Sequence, residues 1–253
     1  MRSTRLDEME KFIVQHETVS MDELCGHFGV SMVTVRRDIT ELQRKGVVTK
    51  IYGGVSAHKP ESLTPFDVRK MTNQEAKRAI AACAAEFVHD NDIIFIDSGS
   101  TSLLVLEAIK QKSNITVVTH SLPALTAAAA IPGITLFALP GQYYPRTNSF
   151  TGMETIRALR SFNITTAFMG ASAFSPEHGV SNSSQYEYEI KHTALQRAQK
   201  NILLVDSEKI GRTAVFTYGQ ISDFACVFTD KDPGEECRAA CMEADAKLIV
   251  AGV

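Results

Sequence analysis

Val30-Ser31-Met32-Val33-Thr34-Val35-Arg36-Arg37-Asp38 reads as a short polar turn opening a helix that carries two adjacent arginines in its first two turns. Ser31 suits the N-cap, because its hydroxyl can take up a backbone N–H that the helix start leaves unpaired. Met32, Val35, Ile39 and Leu42 then recur at helical spacing and form one apolar stripe, with Val33, Arg36, Arg37, Thr40 and Arg44 on the remaining surface. The stripe is expected to pack, leaving the opposite face free to meet phosphates and base edges.

Upstream, Met21, Leu24, Cys25 and Phe28 repeat at i, i+3, i+4, i+7 between Ser20 and Gly29, the pattern of a short helix that closes in a tight turn. Leu6, Met9, Phe12 and Ile13 mark an earlier helix. After Gly46 the pattern changes to Val47, Val48, Ile51 and Tyr52 followed by Gly53-Gly54, which reads as a two-stranded β-wing. Over residues 36–50, Arg36, Arg37, Arg44, Lys45 and Lys50 outnumber Asp38 and Glu41, whereas the whole chain has a net charge of −3. Positive charge is therefore focused on one helix and its wing. A phosphate contact anchors a protein on DNA, and a guanidinium in the major groove can select guanine. An isolated Arg-Arg pair would more often be a solvated face; here cap, turn, two stripes and wing agree on double-stranded DNA as partner. The expected contacts are Ser31, Val33, Thr34, Arg36, Arg37, Thr40, Arg44, Lys50 and Tyr52.

The run from Val30 to Ile39, then Glu41-Leu42, Gly46 and Tyr52-Gly53-Gly54-Val55, resembles the N-terminal winged helix-turn-helix of the DeoR/GlpR family of bacterial transcriptional regulators. Tyr52 stands where that family usually has histidine. The resemblance implies a homo-oligomer, dimer or tetramer, that represses a carbohydrate catabolism operon.

At 253 residues and 44% hydrophobic composition, the chain has enough material for a second core once this module is set aside. The expected division is 1–57 for the winged helix, 58–73 for a linker holding Pro60 and Pro65, and 74–253 for an effector-binding and oligomerisation domain. The first residues lack an apolar signal core and no later run is long enough to span a bilayer, so a cytoplasmic protein without membrane contact is expected. Five scattered cysteines lack zinc-ligand spacing; free thiols and no metal are expected.

From Gln74 onward helical and strand patterns alternate. Strands are predicted at Ile93–Ile96, Ile115–Val118, Ile134–Leu139, Thr166–Met169, Ile202–Val205, Ala225–Phe228 and Leu248–Ala251. Helical stretches lie between most of them, at Leu103–Lys110, Leu122–Ala130, Thr155–Arg160, Tyr186–Gln199 and Glu235–Ala244. This alternation predicts an α/β domain with a mainly parallel sheet covered on both faces. Ligands of such sheets sit outside the carboxyl ends of the strands.

Asp97-Ser98-Gly99-Ser100-Thr101 ends the first strand and offers hydroxyls, backbone N–H groups and a helix start to an anion. A capped glycine turn is the plain alternative. The loop has neither the P-loop ending nor a dinucleotide fingerprint, so no ATP, NAD or other cofactor is expected. Later strand ends add Thr119, His120, Ser121, Gly141, Gly170, Ala171, Ser172 and Lys209, and Lys77 precedes the first strand on a helix. Lys77, the Asp97–Thr101 loop, Val118–Ser121, Gly152, Glu187, Glu189 and Lys191, and Val205–Lys209 resemble the sensor domain of the same family. That domain is related in fold to ribose-5-phosphate isomerase and CoA transferases. The resemblance implies a phosphorylated sugar or similar metabolite at Ser98–Thr101, with Glu187 joining the site. Arg146, after Tyr143-Tyr144-Pro145, is a candidate for the pocket mouth, with a packed surface loop as the equal alternative. His120 and Thr165 stand where the family usually has asparagine and often has aspartate. An active isomerase or transferase tethered to DNA is the rival reading. It is disfavoured because Phe168–Ser172 brings no carboxylate to the strand end; no catalytic residue is assigned.

Overall fold

The computed structural model describes residues 2–16, 18–44, 48–51, 54–57 and 65–252. They fall into two compact units divided between Ser62 and Leu63. Side chains of several residues near the masked stretches, among them Arg44, also lie outside the description.

The first unit contains α1 (Arg2–His16), β1 (Thr18–Ser20), α2 (Met21–Phe28), α3 (Met32–Arg44), β2 (Val48–Ile51) and β3 (Gly54–Ala57). Helix α2 begins in a reciprocal cap: Glu23 N–H donates to Ser20 Oγ at 3.1 Å and Ser20 N–H donates to Glu23 Oε2 at 2.8 Å. It ends at Gly29, whose left-handed φ of 62° turns the chain toward α3. Ser31 caps α3 as its sequence suggests, its Oγ accepting from Thr34 N–H at 3.4 Å. Val35, Ile39 and Leu42 are buried with Leu6, Met9, Ile13 and Leu24, so the predicted stripe joins the unit's core from Val35 onward, while Met32 at the helix start is half-buried and outside it. The wing strands pair antiparallel, Val48 with Ala57 through Ile51 with Gly54. Strand β1, which the sequence does not announce, adds to β3 and gives the order β1-β3-β2.

The second unit opens with α4 (Phe66–Met71) and α5 (Gln74–Ala85), then runs β4 (Ile93–Ile96), α6 (Ser102–Ala108), β5 (Thr116–Thr119), α7 (Leu122–Ala129) and β6 (Thr135–Ala138). A hairpin, β7 (Gln142–Tyr144) and β8 (Ser149–Thr151), leads to α8 (Met153–Leu159), β9 (Ile164–Gly170), β10 (Ala173–Ser175) and β11 (Gly179–Asn182). The chain finishes with α9 (Gln185–Arg197), β12 (Ala198–Leu204), β13 (Phe216–Gly219), β14 (Cys226–Thr229), α10 (Glu235–Glu243) and β15 (Lys247–Val250).

The seven predicted strands form one parallel sheet in the order β15-β14-β12-β9-β4-β5-β6. Alternate side chains enter opposite layers, as the two-residue period of a strand requires. Ile94 and Ile96 join Ile80 and Leu106 beneath α5, α6 and α7, while Phe95 joins Ile156 and Ile190 beneath α8 and α9. Chain order runs outward from β4 to β6, then returns to β9 on the other side of β4. The order therefore reverses between β4 and β9, where open α/β sheets form a crevice.

The expected linker 58–73 needs correction. Residues 58–64 lie outside the described residues, but Phe66–Met71 is helical rather than extended, and Phe66 is only 2% exposed in the core of the second unit. Burying an aromatic ring outweighs the weak helical periodicity of a six-residue segment. All five cysteines are free, and Cys226, Cys237 and Cys241 are buried.

Candidate functional site

Helix α3 presents Ser31, Val33, Arg36, Arg37 and Thr40 to the surface, with Thr34 half-buried and Val33 78% exposed. Lys50 reaches from β2 to donate to Thr40 Oγ1 at 3.0 Å, and Thr40 in turn donates to Arg36 O at 2.7 Å. The wing base and the middle of α3 are thus tied together. Asp38, counted from sequence against the positive charge, does not share that surface. It is 0% exposed, and its Oδ2 accepts from Arg5 Nε at 2.9 Å and Nη2 at 2.8 Å. Burial with a partner from α1 leaves the outward face of α3 more basic than residue counting suggests. The Arg44 side chain and Tyr52 lie outside the described residues.

In the second unit the cleft lies at the β4/β9 reversal and spans about 500 Å³, open mouth included. Two glycines lie back to back at its floor: a Cβ on Gly99 would lie 2.9 Å from Ser102 Oγ, while one on Gly170 would meet Asp97 Oδ2 and Gly99 Cα at 3.4 Å, an ordinary contact. Ser102 Oγ is held at 3.0 Å from both Asp97 O and Gly99 O, which closes the loop after β4 on itself. Glu187, from the first turn of α9, accepts a short hydrogen bond from Ser98 Oγ.

Asp97 anchors the loop from behind. Its Oδ2 accepts from Gly170 N–H at 3.0 Å and from Lys191 Nζ, and Lys191 also donates to Gly170 O at 2.9 Å. Burial alone would raise the carboxyl pKa, but the Lys191 ammonium and then His120 outweigh it and hold Asp97 far below the ordinary range. Tyr218 donates to the same Gly170 carbonyl at 2.8 Å; burial beside Asp97 and Glu187 pushes its phenol well up.

On the opposite wall, Lys77 is buried and donates to Thr72 O at 2.7 Å and to Arg69 O. Burial lowers its pKa, offset partly by Asp206. Asp206 is 3% exposed, and its Oδ1 has no hydrogen-bond partner among the described residues. Burial raises its pKa against the opposing charges of Lys209 and Lys77.

The cleft brings together Lys77, Asp97, Ser98, Gly99, Ser100, Thr101, Gly170, Ala171, Ser172, Glu187 and Lys209, all expected from sequence. It adds Arg69, which the sequence does not announce, and Lys191 and Asp206, which fall within the sensor-domain resemblance without being assigned to the site. Arg69 comes from a segment read as linker. Lys191 sits one helical turn after Glu187, the spacing that puts both on one face of α9.

Five expected residues lie off the cleft. Thr119 is buried and donates to Ile96 O at 2.6 Å, while Ser121 caps α7 through Ala124 N–H at 3.4 Å. His120 is buried behind Asp97, its Nε2 3.7 Å from Oδ1, with Nδ1 2.9 Å from Phe150 O. Gly141 is structural: a Cβ there would stand 2.6 Å from Thr151 O, and its φ is 152°. Arg146 lies on the exposed hairpin turn, its carbonyl accepting from Phe66 N–H at 3.0 Å. The first four stand at or just after strand ends, as predicted, but β5 and β6 lie to one side of the reversal. Thr165, noted from sequence, instead bonds Asp92 at the strands' amino ends.

Comparison with known proteins adds an independent finding. Residues 5–61 match the DeoR-like helix-turn-helix domain and residues 72–231 the DeoR C terminal sensor domain. The HTH-type transcriptional regulator IolR of Bacillus subtilis is 39% identical, covering 96% of this chain and 97% of its own length. The glycerol-3-phosphate regulon repressor of Escherichia coli is 28% identical over 88% of each. Among solved structures, a D-ribose-5-phosphate isomerase in complex with phospho-erythronic acid aligns over 55% of each chain at 21% identity and a TM-score of 0.42. With family matches in both units and a relative alike over nearly its whole length, this chain belongs to the DeoR family of transcriptional regulators.

Proposed function

We propose that the chain is a metabolite-responsive repressor of a carbohydrate catabolism operon, in which α3 reads operator DNA and the β4/β9 cleft binds a phosphorylated sugar or polyol. The cleft carries the argument. Ser98, Ser100 and Thr101 line the cleft together with Lys77, Lys209 and Arg69, a set of hydroxyls and cations suited to a phosphate. Asp206 Oδ1, unpartnered and buried, and Glu187 supply acceptors for carbon-chain hydroxyls. The name of the Escherichia coli relative, a glycerol-3-phosphate regulon repressor, points to the same ligand class.

Repression is relieved when the metabolite binds the off-DNA arrangement more tightly than the on-DNA one; a coupling of about 1–3 kcal/mol is typical. Two-fold pairing would set two copies of α3 on half-sites about one duplex turn apart. A thermal-shift screen of phosphorylated sugars tests the ligand assignment. A bound member at 100 times its Kd adds about 2.7 kcal/mol of apparent stability. The Ser100→Ala/Thr101→Val protein should lose that shift while keeping wild-type DNA affinity. An unchanged shift in this variant would place the ligand elsewhere.

A further inference from the structure

The two edges of the parallel sheet are built differently. Edge strand β15 starts at exposed Lys247 and is flanked by Asp232, Arg238 and Asp245, the charges that keep sheet edges from pairing. Edge strand β6 has none. From Ser113 to Pro145 the chain contains no Asp, Glu, Lys or Arg, although 22% of all residues are charged. That run is not hidden within the unit: Thr135 and Ala138 of β6 and Thr126 and Ala129 of α7 are exposed, and Phe137 is 45% exposed with one edge against Phe162.

The backbone of β6 is open in a definite register. Thr135 N–H donates to Ile115 O at 3.0 Å and Leu139 N–H to Thr119 O at 2.9 Å, so the odd-numbered residues face β5. By strand alternation the N–H and C=O groups of Leu136 and Ala138 point away from the sheet. Two strands related by a two-fold axis through Phe137 would match Leu136 with Ala138 of the other copy, and the reverse. All four outward groups on each strand are then satisfied, with the two Phe137 rings opposed in the non-hydrogen-bonded position.

We propose that β6 and the outer face of α7 form a self-association surface, on which a second copy of this chain pairs antiparallel and continues the sheet across a two-fold axis. A second copy fits because the pairing is self-complementary and the residues of β6 and α7 carry no charge that pairing with themselves would bury. The surface supplies the two-fold pairing in the proposed operator reading but stands on the sheet edge alone, so its test measures mass, without DNA or metabolite.

Full-length wild-type protein should sediment as a dimer or a multiple of one. Phe137→Lys and Phe137→Glu each place like charges opposite one another and should raise the dissociation constant at least about tenfold. A one-to-one mixture of the two should re-associate, which also shows both variants folded. Val250→Lys on the opposite edge should leave the mass unchanged. A photo-cross-linking phenylalanine analogue at position 137, a milder change, should join two chains. A monomeric wild type, Phe137 variants that keep wild-type mass, a mixture that stays apart, dissociation by Val250→Lys, or cross-links confined to one chain would each overturn the assignment.

Discussion

Replacing Lys191 with methionine removes the ammonium that neutralises Asp97 while keeping much of the side chain's volume. Asp97 is fully buried; it would retain the Gly170 N–H at 3.0 Å and the imidazole at 3.7 Å, but no lysine. Breaking a buried pair from one side costs about 3–5 kcal/mol because the other charge stays buried. For a unit of this size the loss corresponds to a fall of about 6–20 °C in Tm. The sign of the pH dependence follows from the lowered pKa of Asp97. In the wild type its stabilisation is complete above the unfolded value near 4 and declines as acid is added below it. In Lys191→Met, burial acts without its main counterweight, so the carboxyl takes up a proton more readily. The gap between the proteins should be widest near neutrality and narrow on acidification. Urea denaturation at pH 7 and pH 5, with Asp97→Asn as partner in a double-mutant cycle, measures this. A loss below about 1 kcal/mol at pH 7, or the same loss in the Asp97→Asn background, would refute the account of how the loop is anchored.

Arg36→Ala and Arg37→Ala should each weaken operator binding by about 1–3 kcal/mol if the guanidinium reads a base, and at least one should relax sequence preference in a gel-shift series. Unchanged affinity in both would remove α3 from the interface. Ser20→Ala deletes one half of the reciprocal cap on α2 and should cost the first unit about 1 kcal/mol in chemical denaturation, whereas Ser20→Asp should retain most of it.

The seven parallel strands were legible because each is a short apolar run between turn signals, the pattern of a sheet that helices cover on both faces. The strands that escaped notice, β1, β7, β8, β10, β11 and β13, are three or four residues long and mix glycine, serine, asparagine or tyrosine, so neither alternation nor apolarity marks them. The site divides along similar lines. Strand-end position brings Asp97–Thr101 and Gly170–Ser172 to one cleft, because chain chemistry and sheet geometry agree there. The same rule over-reached at Thr119, His120, Ser121 and Gly141, since a list of strands does not give their spatial order. Arg69 was invisible for another reason. Only the burial of Phe66 reveals that a proline-flanked segment folds back onto the sheet.

Gly99 and Gly170 lie back to back beneath the cleft, and of the two only Gly99 is short of room for a side chain. A methyl group on Gly99 would press at 2.9 Å on the Ser102 hydroxyl that closes the loop on itself, whereas replacements around the rim leave that closure untouched. Rim chemistry can therefore diverge toward new small molecules while the seat beneath stays constant. On the proposed reading of the cleft as the effector site, redesign of ligand preference belongs at Arg69, Asp206 and Lys209, with Gly99 left alone.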